Sequence, residues 1–422
     1  MWRKWKEKLA VLGPGMLVAA TGVGAGDLAT ASFSGSQLGT RVLWAVIAGA
    51  FLKFVMNEGL MRWQLATGTT LIEGLVVRFG PLVMAVFLPY LLFWSFFVGL
   101  ALMSACGVTV HALVPLFDDP DRGKILWAIV QSLLGLGLVW WGGYRWFERV
   151  MGACTAIMFF TVLSTAAVFW PGTSKVLSGL VPRLELLDGE ALRWTVALIG
   201  GIGGTVTVLS YGYWIREEGR DRPEHLSTCR LDLFSAYLMT ALFGMAMVII
   251  GTTVDTSGTG STLLMQLAER LEERLGEVGR VLFLLGAWAA VFTSLLGVWQ
   301  AVPYLFADVC AQWNRRRRSH AVSEAASDTR SPVDTGALPY RAYLLAIALV
   351  PMLGLWYSFK EVQRWYSTVG AWFLPMLALA LLVLNSRESW IGSRFRNRWT
   401  TNGILVLTLL FFSFIAWRQW GE

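Results

Sequence analysis

The chain of 422 residues is 55% hydrophobic and 15% charged, and its mean hydropathy is +0.56. A soluble chain of this length carries roughly a quarter charged residues and divides into two or three domains, so the composition excludes an ordinary soluble enzyme and predicts an integral membrane protein. The net charge of +7 is explained by loops that orient the chain in a membrane, and no nucleic-acid partner is expected.

Apolar stretches recur along the whole sequence, and each is long enough to cross the hydrocarbon core of a bilayer as a helix. About eleven spans are predicted in one polytopic α-helical domain, residues 1–422, whose solvent is the lipid bilayer. They cover residues 13–38, 42–66, 82–111, 124–142, 148–170, 192–214, 231–254, 280–309, 340–358, 365–385 and 402–418. Residues 314–338 are polar and charged, which predicts a disordered cytoplasmic linker.

Basic residues are concentrated in alternate connections, among them WRKWKEK near the N-terminus and NRRRRSH from residue 314. The positive-inside rule then predicts a cytoplasmic N-terminus and an external C-terminus in the inner (plasma) membrane of a bacterium. No cleavable signal peptide is predicted, because the basic N-terminal stretch leads directly into a long apolar segment.

Motifs of catalysis are absent from the sequence, which contains no HExxH, P-loop or GxSxG pattern. The three histidines and four cysteines show no metal-binding spacing. We therefore predict that the protein is not an enzyme and has no resident cofactor. The sequence contains no indication of an oligomeric state.

Two glycine runs occupy corresponding places in the two halves of the chain: GVGAGD at 22–27 and LIGGIGGTVTVL at 198–209. Paired, interrupted helices are typical of secondary transporters built from inverted repeats, and residues 13–170 and 192–385 are predicted to be those repeats, with 402–418 as an additional helix. Unwound backbone inside a membrane is tolerated only where protein, water or a ligand satisfies it. The alternative explanation of each run is close helix packing.

Two segments resemble the Nramp family of divalent-metal transporters: GPGMLVAATGVGAGDLATASFSGSQLGTRVLW (13–44) and WQLATGTTLIEGL (63–75). The resemblance implies an all-α integral membrane protein with the LeuT-type fold, a five-plus-five inverted repeat with one extra helix, in which helices 1 and 6 are unwound. The chain departs from the family at the ligand positions. Gly24 stands at the family's Asp and Asp27 at its Asn; Gly204, Thr207, Val208 and Leu209 stand at its Ala, Met, Pro and His.

The remaining polar groups near the glycine runs predict a substrate site for a hard cation. Carboxylate, hydroxyl and carbonyl oxygens suit magnesium or manganese, whereas the missing thioether and imidazole favour softer metals. Asp27 and Thr207 are the predicted metal ligands, and the full substrate-binding set is Asp27, Thr207, Gly24, Gly204, Thr21 and Thr205. The predicted cargo is a divalent cation moved by alternating access.

An ionised Asp27 at bilayer depth needs compensation, because a buried charge costs several kcal/mol. Within spans 1 and 6 the only Lys or Arg is Arg193, near the outer end of span 6. We therefore expect the cargo itself to compensate the carboxylate, and expect Asp27→Ala to leave a foldable and slightly more stable protein.

Lys53 and Glu58 of the second span are candidates for coupling or gating. Their spacing to Asn57 and Arg62 is i,i+4, which also suits a structural ion pair near the cytoplasmic end. Span 3 has no carboxylate to relay a proton, and Leu209 replaces the family's histidine. Weak dependence of uptake on a proton gradient is therefore predicted.

Two other functions remain open. The first is a LeuT-fold carrier of a small organic solute, in which freed amides bind a carboxylate and Asp27 binds an amine or sodium. Thr293 and Ser294 of span 8 would then contribute to a sodium-type site known from the wider LeuT fold. The second is a membrane receptor or assembly protein that has lost transport, which a carboxylate at the helix break disfavours.

Overall fold

The computed structural model describes residues 13–24, 26–183, 189–254, 263–319 and 334–421, and across these residues the chain forms helices and no β-strand. The α-helices are α1 (Gly13–Gly22), α2 (Ala31–Leu38), α3 (Leu43–Thr67), α4 (Leu71–Phe79), α5 (Pro81–Leu113), α6 (Pro120–Val168), α7 (Thr173–Gly179), α8 (Gly189–Gly201), α9 (Ser210–Glu217), α10 (Leu226–Gly251), α11 (Leu263–Ser319), α12 (Leu338–Leu349), α13 (Phe359–Ala371), α14 (Phe373–Ser386), α15 (Glu388–Ile391) and α16 (Trp399–Gly421). A π-helical turn, Gly26–Thr30, precedes α2, and short 3-10 turns include Val206–Leu209 before α9.

Helices long and apolar enough to cross a membrane account for most of the fold. Among the described residues, seven segments meet this criterion by length and composition, and two further apolar helices, Leu338–Gly354 and Trp399–Ile415, are shorter. Helix α6 covers two predicted spans, which are separated by a kink at Gly143, where the backbone is not helical and φ is 68°. The expected all-helical membrane fold is thus confirmed.

The interior of the bundle is built around the first broken helix. Helix α10 packs against α1, α2 and α3, and α11 packs against α1, α5 and α6. On another side, α13 packs against α5 and α8. Large apolar side chains remain on the outer surface, such as Trp141 at 83% and Phe160 at 72% exposure, as expected for helices that face lipid.

Both glycine runs interrupt their helices, so the predicted unwinding of helices 1 and 6 is confirmed. Helix α1 ends at Gly22 and the π-helical turn begins at Gly26; Val23 and Gly24 are called the first break. Helix α8 ends at Gly201 and the 3-10 turn begins at Val206; residues 202–205 are called the second break. Gly203 and Gly204 have φ values of 75° and 77°, a left-handed conformation that glycine adopts without steric cost.

The structure describes only the two ends of the predicted linker at 314–338, which stays a prediction. Helix α11 continues to Ser319, and residues 320–333 lie outside the described part of the chain. Arginine is a good helix former, so the basic run extends the helix instead of ending it.

Candidate functional site

The two breaks contact each other through their backbones. A Cβ atom added to Gly22 would lie 2.7 Å from the carbonyl carbon of Gly203, and one added to Gly204 would lie 3.4 Å from the Cα atom of Gly22. The first distance is shorter than any ordinary contact, so a side chain at Gly22 would force the breaks apart. The glycines therefore permit close packing and unwinding at the same point. An unwound substrate site and close helix packing, the two explanations of the glycine runs, do not exclude each other.

Asp27 lies at the junction of the two breaks. It is the second residue of the π-helical turn and its exposed fraction is 0%. Its Oδ2 atom accepts a hydrogen bond of 3.3 Å from the backbone N–H of Gly203, while Oδ1 is buried without a hydrogen-bond partner among the described residues. A Cβ atom added to Gly244 of α10 would lie 3.6 Å from Oδ1. This carboxylate oxygen therefore has acceptor capacity that the surrounding protein leaves unused.

The side chain of Lys53 extends from α3 to the second break, a contact that the sequence did not predict. Its exposed fraction is 0%. Its Nζ atom donates a 2.7 Å hydrogen bond to the carbonyl oxygen of Gly200 and a second hydrogen bond to that of Ile202. The Ile202 carbonyl and the Gly203 N–H belong to one peptide unit, so Lys53 and Asp27 bind its two ends. The Lys53 ammonium is bound by the carbonyl oxygens of Gly200 and Ile202, and the Asp27 carboxylate by the N–H of Gly203. Both groups are therefore held at the second break.

This arrangement brings a cationic group to the peptide unit that binds Asp27, which the sequence-based expectation did not include. The expectation considered spans 1 and 6 only, whereas the cationic group is on span 2. The expected i,i+4 contact of Lys53 with Asn57 is also absent, since the Asn57 amide instead donates to the Tyr237 hydroxyl at 3.1 Å. The available sequence signal was Asp27, with no basic residue near it on its own span, and Lys53 on the next span, where the one acid, Glu58, is matched by Arg62.

Thr207 and Gly204 lie together beside the breaks. A Cβ atom added to Gly204 would be 2.4 Å from the Thr207 Oγ1 atom, so the hydroxyl rests directly on the glycine backbone. Thr207 belongs to the 3-10 turn that follows the second break and is 6% exposed. Both predicted residues are therefore at the junction that contains Asp27.

The other three predicted substrate residues are directed toward neighbouring helices. Thr21 lies against α11, where a Cβ atom added to Gly297 would be 2.0 Å from its Oγ1 atom. Thr205 accepts a hydrogen bond of 2.9 Å from the Trp94 indole N–H on α5. Gly24 faces α11, because an added Cβ atom would be 2.2 Å from the Ser294 Oγ atom. In this conformation the side chains of Thr21 and Thr205, and the backbone of Gly24, contact neighbouring helices.

Thr293 and Ser294 converge on a backbone carbonyl freed by the first break. The Ser294 hydroxyl donates to the Ala20 oxygen at 3.1 Å, and the Thr293 hydroxyl lies 3.2 Å from the same oxygen and 2.9 Å from the Ala289 and Ala290 carbonyl oxygens of its own helix. The Ala20 oxygen would accept from Gly24 in a regular helix, but the Gly24 N–H bonds the Gly22 oxygen at 3.1 Å. The Ser294 hydroxyl therefore satisfies unwound backbone at bilayer depth.

Glu58 is held by two arginines at the end of α3. Its carboxylate is 2.7 Å from the Arg62 Nε atom and 2.8 Å from an Arg230 guanidinium nitrogen. Arg62 also donates to the carbonyl of Phe395 at 2.6 Å. The i,i+4 pair of Glu58 with Arg62 thus forms. With the contacts to Arg230 and Phe395, it links α3 to α10 and to the connection before α16.

A cavity of about 760 Å³ lies on the α8 side of the second break. Ser367 of α13 is part of its wall, and the Ser367 Oγ atom forms a 3.2 Å hydrogen bond with Thr30 Oγ1. Thr30 ends the π-helical turn that carries Asp27, so Ser367 connects the cavity wall to this turn. Charged residues of both signs line the cavity: Glu190, Arg193, Lys360, Glu361 and Arg364.

A buried polar network lies on the α9 side of the second break. Asp308 of α11 accepts hydrogen bonds from the Tyr213 hydroxyl at 2.6 Å and from Thr70 Oγ1 at 3.0 Å. The Gln312 amide donates to Glu73 at 2.7 Å and to Asp308 at 3.2 Å. These bonds join α4, α9 and α11, whereas the cavity lies on the other side.

Comparisons with known proteins agree with this architecture. A family model described as natural resistance-associated macrophage protein-like (Nramp) matches residues 15–418. The divalent metal cation transporter MntH of Mycobacterium tuberculosis is 26% identical over 306 residues, which are 68% of each chain, and MntH of Granulibacter bethesdensis is 24% identical over 90% of each chain.

Solved structures show the same fold. A variant of the manganese transporter of Eremococcus coleocola superposes with a TM-score of 0.70 at 17% identity, covering 97% of this chain and 86% of that one. MhsT in complex with L-phenylalanine superposes with a TM-score of 0.64 at 15% identity, covering 94% and 95%.

Proposed function

Because the chain belongs to the Nramp family, we propose that it is a secondary transporter that moves a divalent metal cation across the plasma membrane. The observation that carries this proposal is the position of Asp27. Among the residues that the structure describes, a fully buried carboxylate with one unpartnered oxygen lies where two broken helices meet, and such junctions are where transporters of this construction hold ions and substrates. The relatives named as divalent metal cation transporters support the same cargo class.

The proposed cargo is a hard cation such as magnesium or manganese. The candidate donors are the Asp27 carboxylate, the Thr207 hydroxyl and backbone carbonyls of the breaks, all of which are oxygen ligands. A soft thioether or imidazole ligand is absent from the positions around these breaks, where Thr207 and Leu209 stand. Magnesium keeps part of its water shell when bound, so it requires few direct protein ligands.

Alternating access is supported by the different surroundings of the α8 side and the α9 side of the second break. The cavity adjoins the α8 half of the broken helix, whereas the α9 half is held by the network of Tyr213, Asp308 and Gln312. We propose that these two sides open in turn.

The proposed orientation has a cytoplasmic N-terminus and an external C-terminus. It predicts that Ser319→Cys is protected from an impermeant maleimide in intact cells, whereas Gly421→Cys is labelled. Equal labelling of the two variants would contradict the orientation.

Uptake into proteoliposomes tests the function. Magnesium, manganese, calcium and cadmium should be offered alongside amino acids, to wild type and to Asp27→Asn. We expect divalent-cation uptake that Asp27→Asn abolishes. Asp232→Asn is the matched control, because Asp232 is also buried, at 1% exposure, and accepts from the Gly15 N–H at 2.8 Å. Cation uptake by Asp27→Asn at the wild-type rate would remove the carboxylate from the mechanism.

A small organic solute is the second candidate, and Lys53 favours it. The paired ammonium and carboxylate at the second break complement a zwitterion, which a site with Asp27 alone would not. In this case Thr293 and Ser294 are the candidate sodium ligands, and uptake would follow the amino acids of the panel and require sodium.

A further inference from the structure

The Lys53 ammonium occupies polar groups that a cargo cation would need. Its two hydrogen bonds go to the carbonyls of Gly200 and Ile202 at the end of α8. Free carbonyl oxygens are the ligands that hard cations take from unwound helices. The neighbouring N–H of Gly203 binds Asp27, the proposed cargo ligand. A cation is therefore already present at this junction, and it is part of the protein.

We propose that Lys53 is a tethered cation that fills the cargo site when it is empty, so that a transported cation must displace its ammonium group; this rests on the proposed role of Asp27 as a cation ligand. An ionised Asp27 without a counter-charge would be costly in this apolar interior. Lys53 removes that cost between transport events. The site can then be empty of cargo without becoming an unpaired buried charge.

Displacement also makes Lys53 a determinant of specificity. A monovalent ion brings no more charge to Asp27 than the ammonium that it replaces, whereas a divalent ion brings twice as much. Repulsion between the arriving ion and Lys53 acts in a medium of low polarity, where charges interact strongly. We expect Lys53 to lower the affinity for every cation, and the exchange to bring additional positive charge to Asp27 only when the arriving ion is divalent.

The stem of the Lys53 side chain packs beside Gly203 of the second break. Its Cδ atom lies 3.6 Å from the position of a Cβ atom added to Gly203, and Tyr237 and Thr240 of α10 adjoin the same position. A lysine has a flexible four-carbon stem. Gly203 adds no side chain of its own to the contacts of this stem.

Lys124 supplies a matched control within the same chain. It is also 0% exposed, and its Nζ atom donates a 2.8 Å hydrogen bond to the backbone carbonyl of Tyr357. Its ion pair is with Asp121 at 3.2 Å, at the start of α6. A purely structural buried lysine should behave like Lys124.

The test is equilibrium binding of manganese and magnesium to the full-length protein in lipid nanodiscs. We expect Lys53→Gln to bind each ion at least about tenfold more tightly than wild type, since the competing charge is gone. The glutamine amide can still donate hydrogen bonds to the carbonyls of Gly200 and Ile202, so a purely structural role of Lys53 would be retained. Lys124→Gln should leave the affinity unchanged, and adding Asp27→Asn to Lys53→Gln should abolish binding.

Two further variants keep the outcome decisive. Lys53→Met gives the same comparison if Lys53→Gln does not fold, and Lys53→Arg, which retains the charge, should keep the weak wild-type affinity. Equal or weaker binding by Lys53→Gln than by wild type would overturn the tethered cation and leave the cargo role of Asp27 standing. Binding by Lys53→Gln with none by wild type would overturn displacement by a cargo cation, because the ammonium would then block the site in the native chain. Folded variants that bind no divalent ion would overturn both proposals.

Discussion

Replacing Asp27 by asparagine should destabilise the cargo-free protein because it leaves the Lys53 ammonium buried without a counter-charge. Asparagine can still accept the hydrogen bond from the Gly203 N–H, so the loss is mainly that of charge compensation. Removing one member of a buried, paired charge typically costs 3–5 kcal/mol. With the Gly203 bond retained, we expect a cost near the lower end, about 3 kcal/mol. This reverses the sequence-based expectation that removal of the carboxylate is slightly stabilising.

The double variant Asp27→Asn/Lys53→Met separates this explanation from a general loss of packing. Removing both charges should return the free energy of unfolding to within about 1 kcal/mol of wild type, a coupling of about 2–3 kcal/mol. Unfolding would be followed by temperature or denaturant in nanodiscs with a chelator present, so that no divalent ion contributes. Asp27→Asn/Lys124→Met is the control and should be additive. Additive effects of Asp27→Asn and Lys53→Met would refute the argument.

Three further predictions concern the breaks, the ligands and the coupling. Gly22→Ala should destabilise the protein by about 1–3 kcal/mol, because its methyl group would lie 2.7 Å from the Gly203 carbonyl carbon; Gly403→Ala, with no atom within 4 Å, should change the thermal unfolding temperature little. Thr207→Met should raise cadmium uptake relative to magnesium, since a thioether favours softer ions, and an unchanged ratio would place Thr207 away from the cargo. Uptake should depend weakly on a proton gradient; substrate-driven acidification of dye-loaded liposomes that Glu58→Gln abolishes would show the opposite.

The composition and the spacing of apolar stretches were enough to predict the membrane fold. A helix satisfies its own backbone hydrogen bonds, so an apolar stretch of sufficient length specifies a spanning helix from local sequence alone. The glycine runs at 22–27 and 198–209 likewise predicted where the helices unwind, because glycine both weakens a helix and permits the left-handed backbone observed at Gly203. Asp27 could be selected because a carboxylate in an apolar segment requires compensation wherever it lies.

Which group compensates Asp27 was decided by the tertiary structure. Lys53 lies 26 positions further along the chain on another helix, and nothing in the local sequence states that its side chain points at the second break. Local sequence also did not predict the direction of Thr21, beside the first break, or of Thr205, in the second break. Their side chains face α11 and α5. A side chain's direction depends on the rotation and packing of its whole helix against its neighbours. Sequence therefore identified the charged and unwound elements of the site, and only helix packing determined which of them meet.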